Sequence, residues 1–463
     1  MLKRVNVKNV YSFSARDDER SEEFSMIAGK VRGKKNHIYD KERLKLLKFA
    51  AIYGANASGK SNLVKAMDLM RNIILSGSPE GHAEKYCKVD PENKNKPSYF
   101  EIELMLCNKC YAYGFEVVLS QSRFISEWLV ELNSDNTEKE LFTRDIEAGL
   151  YSFSGELKRK GLKERLEVYA DDISDNSSVL FLSIMNENKK NVNYKYKSAT
   201  ALNDVYAWIR DSLTIIYPDQ PLTMYEYLSK SEQAEEICSF LSAFDTGITG
   251  FKIVNIDIDR ILNGVSPTSQ KEILRRLERQ QAIIRNSGNV TSINIAMRSI
   301  DNFFIITISR DEEIKCSTIE FTHGNKGALF TLNEESGGTI RLLDLLGILI
   351  AGEGKTYVID EFDRCLHPLL SYKFVETFFK LAEKKNIQLI VTTHESRLMD
   401  FDLLRRDEIW FVNKNVSGNS DIYSLEEYNA RFDQKIDKAY MEGRYGGVPI
   451  FSAIFPSKRS DSK

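Results

Sequence analysis

The sequence predicts an α/β fold with an antiparallel β-subdomain and an inserted, mainly helical module. Three observations lead to this fold class. Residues 49–53 form a short apolar run, typical of a buried strand, and a glycine-rich turn and a helix-spaced apolar pattern over residues 63–75 follow it. Alternating β-type patterns run from Tyr99 to about Val130. Further apolar strands return in the last third of the chain, so we expect both ends of the chain to build one domain.

The pattern divides the chain into three parts. We predict an N-terminal lobe over residues 1–155, a mainly helical insertion over 156–300, and a C-terminal lobe with a short tail over 301–463. Helical spacing over 201–213 and 224–244 supports the insertion. In the N-terminal lobe, Asn108-Lys109 between Cys107 and Cys110 is predicted to form the turn of a hairpin.

Composition restricts the class of protein. Of the 463 residues, 42% are hydrophobic and 28% are charged, which is typical of a folded chain. The formal net charge of −3 argues against a uniformly basic nucleic-acid binder. The sequence lacks an apolar run of about 18 residues and an apolar signal-peptide core, so we expect a cytoplasmic protein without membrane contact. Its six scattered cysteines fit reduced thiols.

The glycine-rich turn carries a complete motif. Residues 54–61 read GANASGKS and match G-x-x-x-x-G-K-[ST] between a predicted strand and a predicted helix. In this arrangement, backbone N–H groups surround phosphates, Lys60 reaches the β- and γ-phosphates, and the Ser61 hydroxyl binds Mg²⁺. The sequence thus predicts ATP and Mg²⁺ as cofactors. The predicted nucleotide contacts here are Gly54, Ala55, Asn56, Ala57, Ser58, Gly59, Lys60, Ser61 and Asn62.

Two acids and a histidine follow apolar strands in the last third of the chain. Residues 356–359 lead into Asp360 and Glu361, whose side chains point in different directions because neighbouring strand residues alternate. We therefore predict Asp360 as a Mg²⁺ ligand and Glu361 as the general base. His394 ends the strand over 386–393 and is predicted to donate to the γ-phosphate, which makes Lys60, Glu361 and His394 the predicted catalytic residues.

A second anion-binding segment is predicted before the acids. Ser336, Gly337 and Gly338 precede a helical run, and a serine with two glycines at a helix start can present N–H groups to an anion. Asp360 lies 300 residues after Lys60, a separation much longer than a compact single-domain nucleoside triphosphatase needs.

Taken together, GANASGKS, ESGGT, YVIDE and TTHES resemble the ABC-type ATPase heads related to SMC and RecF proteins. In that family two heads enclose ATP between them. The resemblance implies that Ser336, Gly337 and Gly338 of one copy contact the γ-phosphate held by the phosphate loop of another copy. It also implies that Glu361 is the hydrolytic base, that His394 senses the γ-phosphate, and that the protein forms a homodimer or a larger assembly of heads.

A narrower resemblance covers nearly the whole chain. The strings NVYSF, EESGGTIRLLDLL, DEFDRCLHPLL and GRYGGVPIF are similar to those of stand-alone ATPases from abortive-infection and OLD-like phage-defence systems, including the ATPase subunits of Septu, PARIS and retron-linked systems. OLD nucleases carry a Toprim nuclease after the ATPase head. Here only 69 residues follow His394, and no convergent set of acids for a nuclease can be assembled from them.

These features predict an ATPase that acts as the sensor or gate of an antiphage defence system. Its expected partners are further copies of itself, a separately encoded nuclease or toxin effector, and a phage protein as trigger. Two alternatives stay open: a DNA repair or recombination ATPase of RecF type, with DNA as its direct ligand, and a nucleotide-binding scaffold that sequesters a toxin with little turnover.

Overall fold

A computed structural model describes the chain except for residues 15–20, 32, 42–43, 134–136, 160, 188–199, 219, 221–233, 264–265, 287–290, 299–302, 311–313, 325–326, 351, 429–434 and 449–463. The described residues form two units. The first unit comprises residues 1–215, 353–362 and 382–463, and the second comprises 216–352 and 363–381. Part of the predicted helical stretch, residues 224–233, lies outside the described residues.

In chain order, the strands are β1 Leu2–Lys8, β2 Glu22–Ser25, β3 Ile38–Lys41, β4 Leu44–Leu47, β5 Phe49–Tyr53, β6 Ser98–Leu106, β7 Lys109–Val118, β8 Arg123–Leu132, β9 Glu138–Asp145, β10 Leu150–Phe153, β11 Leu213–Ile216, β12 Ile248–Ile256, β13 Ser292–Arg298, β14 Phe303–Ser309, β15 Lys315–His323, β16 Ala328–Thr331, β17 Thr356–Ile359, β18 Gln388–Thr392, β19 Ile409–Lys414 and β20 Ser420–Ser424. The α-helices are α1 Lys60–Ser76, α2 Lys163–Asp171, α3 Phe181–Asn186, α4 Thr200–Ala207, α5 Ala234–Ala243, α6 Ile258–Leu262, α7 Pro267–Asn286, α8 Gly337–Ile350, α9 Pro368–Ala382 and α10 Ile436–Met441.

The first unit contains a six-stranded sheet in the order β11-β17-β18-β5-β19-β20. Strands β17, β18, β5 and β19 run parallel, and β20 is antiparallel to β19. All five residues of β5 are buried, as expected for a strand covered on both faces. Because β5, β17 and β18 are neighbours and parallel, the residues that follow each of them lie at one edge of the sheet. This α/β arrangement, with the glycine-rich turn after β5, confirms the predicted fold class.

The second sheet of the first unit is antiparallel and has the strand order β10-β9-β8-β7-β6-β1-β2. It confirms the predicted antiparallel β-subdomain and its hairpin, in which β6 pairs with β7 from Leu106 and Lys109 onward. The turn lies one residue earlier than predicted: Cys107 and Asn108 form it with φ values of 48° and 67°, the left-handed conformation of a tight hairpin, whereas Lys109 begins β7. All six cysteines are free thiols.

A buried carboxylate joins this sheet to α3. Glu127 on β8 accepts hydrogen bonds from the Phe181 and Leu182 amides, at 2.8 and 2.9 Å, and from the Tyr113 hydroxyl at 2.9 Å. The guanidinium of Arg144 lies 3.9 Å away. Burial raises the pKa of Glu127, and the three donors and the cation offset part of that cost. The carboxyl group thereby fixes the start of a short helix against the sheet.

A histidine and a glutamate form a second buried pair in the first unit. His37 Nδ1 lies 2.9 Å from Glu408 Oε1, and both side chains are buried. Burial, together with the nearby Lys34 and Arg405, lowers the pKa of His37 to about 3, whereas burial raises the pKa of Glu408 well above 4.5. Burial therefore shifts both groups of this pair toward their uncharged forms.

The second unit is built on an antiparallel sheet, β12-β15-β14-β13, with β16 paired to β15. Helix α7 packs Leu277 and Ile284 against a cluster that includes Ile306, Ile308 and Cys316. The predicted insertion over 156–300 is divided differently here. Residues 156–215 belong to the first unit, and β12 and β13 pair with strands that follow residue 300.

Among the described residues, the helices are too short or too polar to cross a membrane.

Candidate nucleotide site

The phosphate loop connects β5 to α1 and requires glycine at two positions. A Cβ atom on Gly54 would lie 2.4 Å from the carbonyl oxygen of Val412, and one on Gly59 would lie 2.2 Å from Ser420 Oγ. Gly59 also has a φ of 116°, a left-handed conformation that other residues adopt at a cost. Helix α1 begins at the next residue, so its unpaired N–H groups face the loop. The fold thus needs these glycines for close packing as well as for the turn.

Lys60 is held inside the loop. It is 6% exposed, and its ammonium donates to the carbonyl oxygens of Gly54 at 2.7 Å and Ala55 at 3.2 Å. The loop therefore wraps around its own cation. A phosphate oxygen bound by the loop would compete with these neutral carbonyls for the ammonium, and a charged acceptor makes the stronger hydrogen bond.

The loop fits a phosphate chain on three grounds. The Oγ atom of Ser58 is buried and has no hydrogen-bond partner among the described residues, although buried hydroxyls are normally paired. The buried ammonium of Lys60 supplies positive charge beside it. The N-terminus of α1 adds N–H donors and the positive end of a 17-residue helix.

Asp360 and Glu361 follow β17 and share one partner on β18. The hydroxyl of Thr392 donates to Asp360 Oδ1 at 2.6 Å and accepts the Glu361 amide at 2.8 Å. Glu361 has a φ of 49°, which is unusual for a residue with a side chain and is often found at functional sites. Asp360 is 4% exposed, whereas Glu361 is half-buried. The two neighbouring acids therefore occupy different environments. A carboxylate at this edge of the sheet is also the kind of oxygen ligand that Mg²⁺ prefers.

His394 lies two residues beyond the end of β18 and is exposed. The segment that carries it is bonded to β5: the Thr393 amide donates to the Ile52 carbonyl at 3.1 Å, and the Tyr53 hydroxyl donates to the Glu395 carbonyl at 3.3 Å. The structure thus brings the phosphate loop, both acids and His394 to one edge of the sheet in the first unit.

Ser336, Gly337 and Gly338 belong to the second unit. Ser336 caps α8 by accepting the Thr339 amide at 3.1 Å. A Cβ atom on Gly338 would lie 2.9 Å from the carbonyl oxygen of Cys365, so the chain that follows the acids passes close to the helix start. Cys365 itself has a φ of 63°. Glycine is thus required at Gly338 to admit this backbone.

The sequence matches the family described as "AAA domain, putative AbiEii toxin, Type IV TA system" over residues 49–178 and 175–400. The chain belongs to this family. It is accordingly an AAA-domain protein, which agrees with the prediction of a nucleotide-binding phosphate loop. No curated protein matches the chain.

Three solved SMC heads align with this AAA-domain protein, each at 14% identity. The SMC head bound to the C-terminal winged-helix domain of ScpA has a TM-score of 0.42 and covers 92% of this chain and 99% of its own. The SMC head domain from Thermotoga maritima has a TM-score of 0.36 and covers 91% and 98%. The SMC head with an extended coiled coil bound to the C-terminal domain of ScpA, from Pyrococcus furiosus, has a TM-score of 0.36 and covers 96% and 99%.

Sequence analysis missed several residues that support the loop of this AAA-domain protein. Ser420 Oγ lies 2.6 Å from the Ser58 carbonyl oxygen and 2.7 Å from Ser12 Oγ, and Asn62 donates to Ser12 Oγ at 2.8 Å. The string NVYSF contains Ser12, but nothing in it indicates the contact with Ser420, 408 residues away. Thr392 was also missed. Its only signal is a hydroxyl side chain at the end of an apolar strand.

Proposed function

We propose that this protein binds ATP with Mg²⁺, hydrolyses it, and uses the cycle to control a separate effector in an abortive-infection type of antiphage defence. The observation that carries the hydrolytic part is the placement of the acids. Asp360 and Glu361 share Thr392, and they lie at the sheet edge where the phosphate loop encloses Lys60.

The proposed binding step uses the loop from Gly54 to Asn62. Its N–H groups and the start of α1 receive the phosphates, and Lys60 exchanges its two carbonyl acceptors for phosphate oxygens. Ser61 and Asp360 would hold Mg²⁺, which would neutralise charge on the phosphates. The hydrogen bond from Thr392 restricts the rotation of the Asp360 carboxylate and so fixes this proposed ligand in one orientation.

The proposed hydrolytic step uses Glu361 as the base that accepts a proton from the attacking water. The left-handed backbone at Glu361 and the hydrogen bond that its amide donates to the Thr392 hydroxyl fix the backbone that carries this carboxylate. His394 donates to the terminal phosphate. Ser336, Gly337 and Gly338 of a second copy complete the site, which makes self-association part of this proposal.

The defence role rests on the family to which the chain belongs. Its description names a putative AbiEii toxin and a toxin–antitoxin system, which supports an ATPase that works beside a toxic partner. The similarity of GRYGGVPIF and EESGGTIRLLDLL to the ATPases of OLD-like, Septu, PARIS and retron-linked systems supports the same setting. A nuclease or toxin is the proposed effector, and a phage protein the proposed trigger.

The ATPase proposal predicts different defects for two substitutions. Glu361→Gln should retain ATP binding and lose at least about 100-fold in kcat, because the general base is removed. Lys60→Ala should weaken ATP binding itself, because the buried cation is lost. Steady-state phosphate release and equilibrium dialysis with ATP measure the two effects. Glu147→Gln, an exposed carboxylate on the β9–β10 turn, is the matched control. Equal turnover by Glu361→Gln and Glu147→Gln would contradict the assignment of the base.

Co-expression of the tagged protein with its native neighbouring genes tests whether the ATP cycle controls a separate effector. Recovery of a nuclease or toxin subunit, with hydrolysis abolished by Glu361→Gln in the purified complex, supports the gated effector. An ATPase recovered alone, with turnover that rises on addition of DNA and falls with salt, supports the RecF-type alternative instead. A toxin recovered in a complex without multiple turnover supports the scaffold.

A further inference from the structure

The segment after α10 folds into a turn that packs against the start of the phosphate loop. This turn, residues 444–448, reads RYGGV and is part of the GRYGGVPIF string noted in the sequence. Gly446 and Gly447 have φ values of 69° and 67°, so two consecutive residues adopt the left-handed conformation. A Cβ atom on Gly447 would lie 3.4 Å from Gly54 Cα, the first residue of the phosphate loop. We name residues 444–448 the C-terminal turn.

Two tyrosine hydroxyls fix the backbone of the C-terminal turn. Tyr440 on α10 donates to the Gly447 carbonyl at 2.9 Å, and Tyr423 on β20 donates to the Tyr445 carbonyl at 2.6 Å. Burial raises the pKa of Tyr440 to about 12, so its hydroxyl keeps its proton and remains a donor at neutral pH. A buried hydrogen bond of this kind orients the carbonyl as well as holding it.

Aromatic packing connects the same turn to strands β5 and β19. The rings of Tyr440 and Tyr445 stack on Phe411 of β19, with centroids 5.7 and 5.9 Å apart and interplanar angles of 22° and 20°. Tyr440 also meets the edge of Tyr53, the residue directly before Gly54, at 5.9 Å. The cluster therefore contacts the chain immediately before the phosphate loop as well as Gly54 itself.

Gly54 is consequently confined on two sides. The carbonyl oxygen of Val412 approaches it from β19, and Gly447 approaches it from the C-terminal turn. The carbonyl of Gly54 is in turn the nearer acceptor of the Lys60 ammonium, at 2.7 Å. A displacement of Gly54 would move the acceptor of the lysine and the first peptide unit of the loop together.

We propose that the C-terminal turn is a positioning element for nucleotide binding, in which Tyr440 and Gly447 act through Gly54 on the phosphate loop and Lys60. The inference rests on the proposed ATP-binding function and adds a determinant of ATP affinity that lies outside the loop. A loop held in one conformation before binding loses less conformational freedom when ATP binds. Weakening the turn should therefore raise the Kd and KM for ATP. It should leave kcat unchanged, because the two acids proposed for the hydrolytic step, Asp360 and Glu361, follow β17 and are not part of the phosphate loop.

The first test removes one hydroxyl. Tyr440→Phe keeps the ring contacts with Phe411 and Tyr53 and deletes the bond to Gly447. The matched control is Tyr151→Phe, which deletes a tyrosine hydroxyl bonded to Asp171 at the edge of the other sheet. We expect Tyr440→Phe to raise the Kd and KM for ATP about fivefold, the size of one net hydrogen bond, with kcat within twofold of wild type. Tyr151→Phe should leave all three values unchanged.

A second pair of variants keeps the test decisive if Tyr440→Phe fails to fold. Gly447→Ala and Gly149→Ala both place a side chain at a left-handed φ, 67° and 64°, but only the first meets Gly54, and Gly149 has no neighbour within 4 Å among the described residues. The backbone cost is matched, so a rise in the Kd for ATP with Gly447→Ala alone supports the proposal.

Two results would overturn the inference. Wild-type protein that binds ATP while Tyr440→Phe and Gly447→Ala bind it equally well would refute the positioning role and leave the ATPase proposal intact. Wild-type protein that binds no ATP in equilibrium dialysis would refute the proposed function and this inference with it.

Discussion

Thr392 is the residue on which the arrangement of the two acids depends most directly. It is 1% exposed, and its hydroxyl makes both the bond to Asp360 Oδ1 and the bond to the Glu361 amide. Thr392→Val keeps the shape of the side chain and removes both bonds. A hydrogen bond to a charged group contributes about 1.5–3 kcal/mol, and an unpaired buried amide costs about 1–3 kcal/mol. The two contributions together exceed about 3 kcal/mol at their midpoints, but neighbouring groups can form new hydrogen bonds with the unpaired atoms. We therefore expect the free energy of unfolding to fall by about 3 kcal/mol.

The same substitution should also slow catalysis. The left-handed φ of Glu361 is a conformation that a non-glycine residue adopts at a cost of about 1–2 kcal/mol, and the Thr392 bond helps to maintain it. Without that bond the backbone is free to relax and to move the carboxylate. A misplacement of about 1 Å in a reacting group can lower the rate about 100-fold. Thr392→Val should therefore lower kcat by about two orders of magnitude.

The assay combines urea denaturation with steady-state phosphate release at saturating ATP. The three tryptophans, Trp128, Trp208 and Trp410, all lie in the first unit, so their fluorescence reports the unfolding of the unit that contains Thr392. Thr392→Ser is the control, because it keeps the hydroxyl and loses only a methyl group. If Thr392→Val and Thr392→Ser have the same kcat and the same unfolding midpoint, the shared hydroxyl does not hold the acids and the reasoning fails.

Two further predictions concern the loop and the buried ion pair. Gly59→Ala should abolish measurable ATP binding in equilibrium dialysis, because its Cβ would lie 2.2 Å from Ser420 Oγ at a φ of 116°; binding within threefold of wild type would contradict this. Burial lowers the pKa of His37 and raises that of Glu408, so His37 should make stability fall as the pH drops below 6.5, and Glu408 should make it fall as the pH rises above 4.5. Glu408→Gln should therefore gain stability relative to wild type as the pH rises above 4.5 in urea titrations, by at most about 1.4 kcal/mol per pH unit, and parallel pH profiles would refute this assignment.

Local patterns predicted the parts of the site that are local in the chain. The apolar run of β5, the motif from Gly54 to Ser61 and the strand before Asp360 each lie within a few residues, so spacing alone was sufficient to find them. The hairpin between β6 and β7 was predicted for the same reason, although its turn is Cys107-Asn108 and not the predicted Asn108-Lys109.

Contacts between distant segments could not be predicted in this way. Gln388 at the start of β18 is completely buried and bonds both the amide and the carbonyl of Leu2, 386 residues earlier. A lone glutamine in an apolar run carries no indication of such a partner. The apolar pattern predicted β12 as a strand. Its partner β15 lies beyond residue 300, the predicted end of the insertion, so the division into units differs from the predicted one.

The phosphate loop illustrates how the two kinds of information combine. Its own residues supply the groups that the proposed function uses: glycines for close approach, a lysine for charge and a serine as the proposed metal ligand. Its shape is held from outside by three segments that are remote in sequence, namely Ser12 after β1, Ser420 on β20 and Gly447 in the C-terminal turn. Because coupling between binding and conformation is reciprocal, a loop whose ATP affinity depends on the C-terminal turn must in turn stabilise that turn when ATP binds. Hydrogen exchange of the amides from Tyr440 to Val448 should then slow on addition of ATP, and the exchange of residues in the β9–β10 turn should not change.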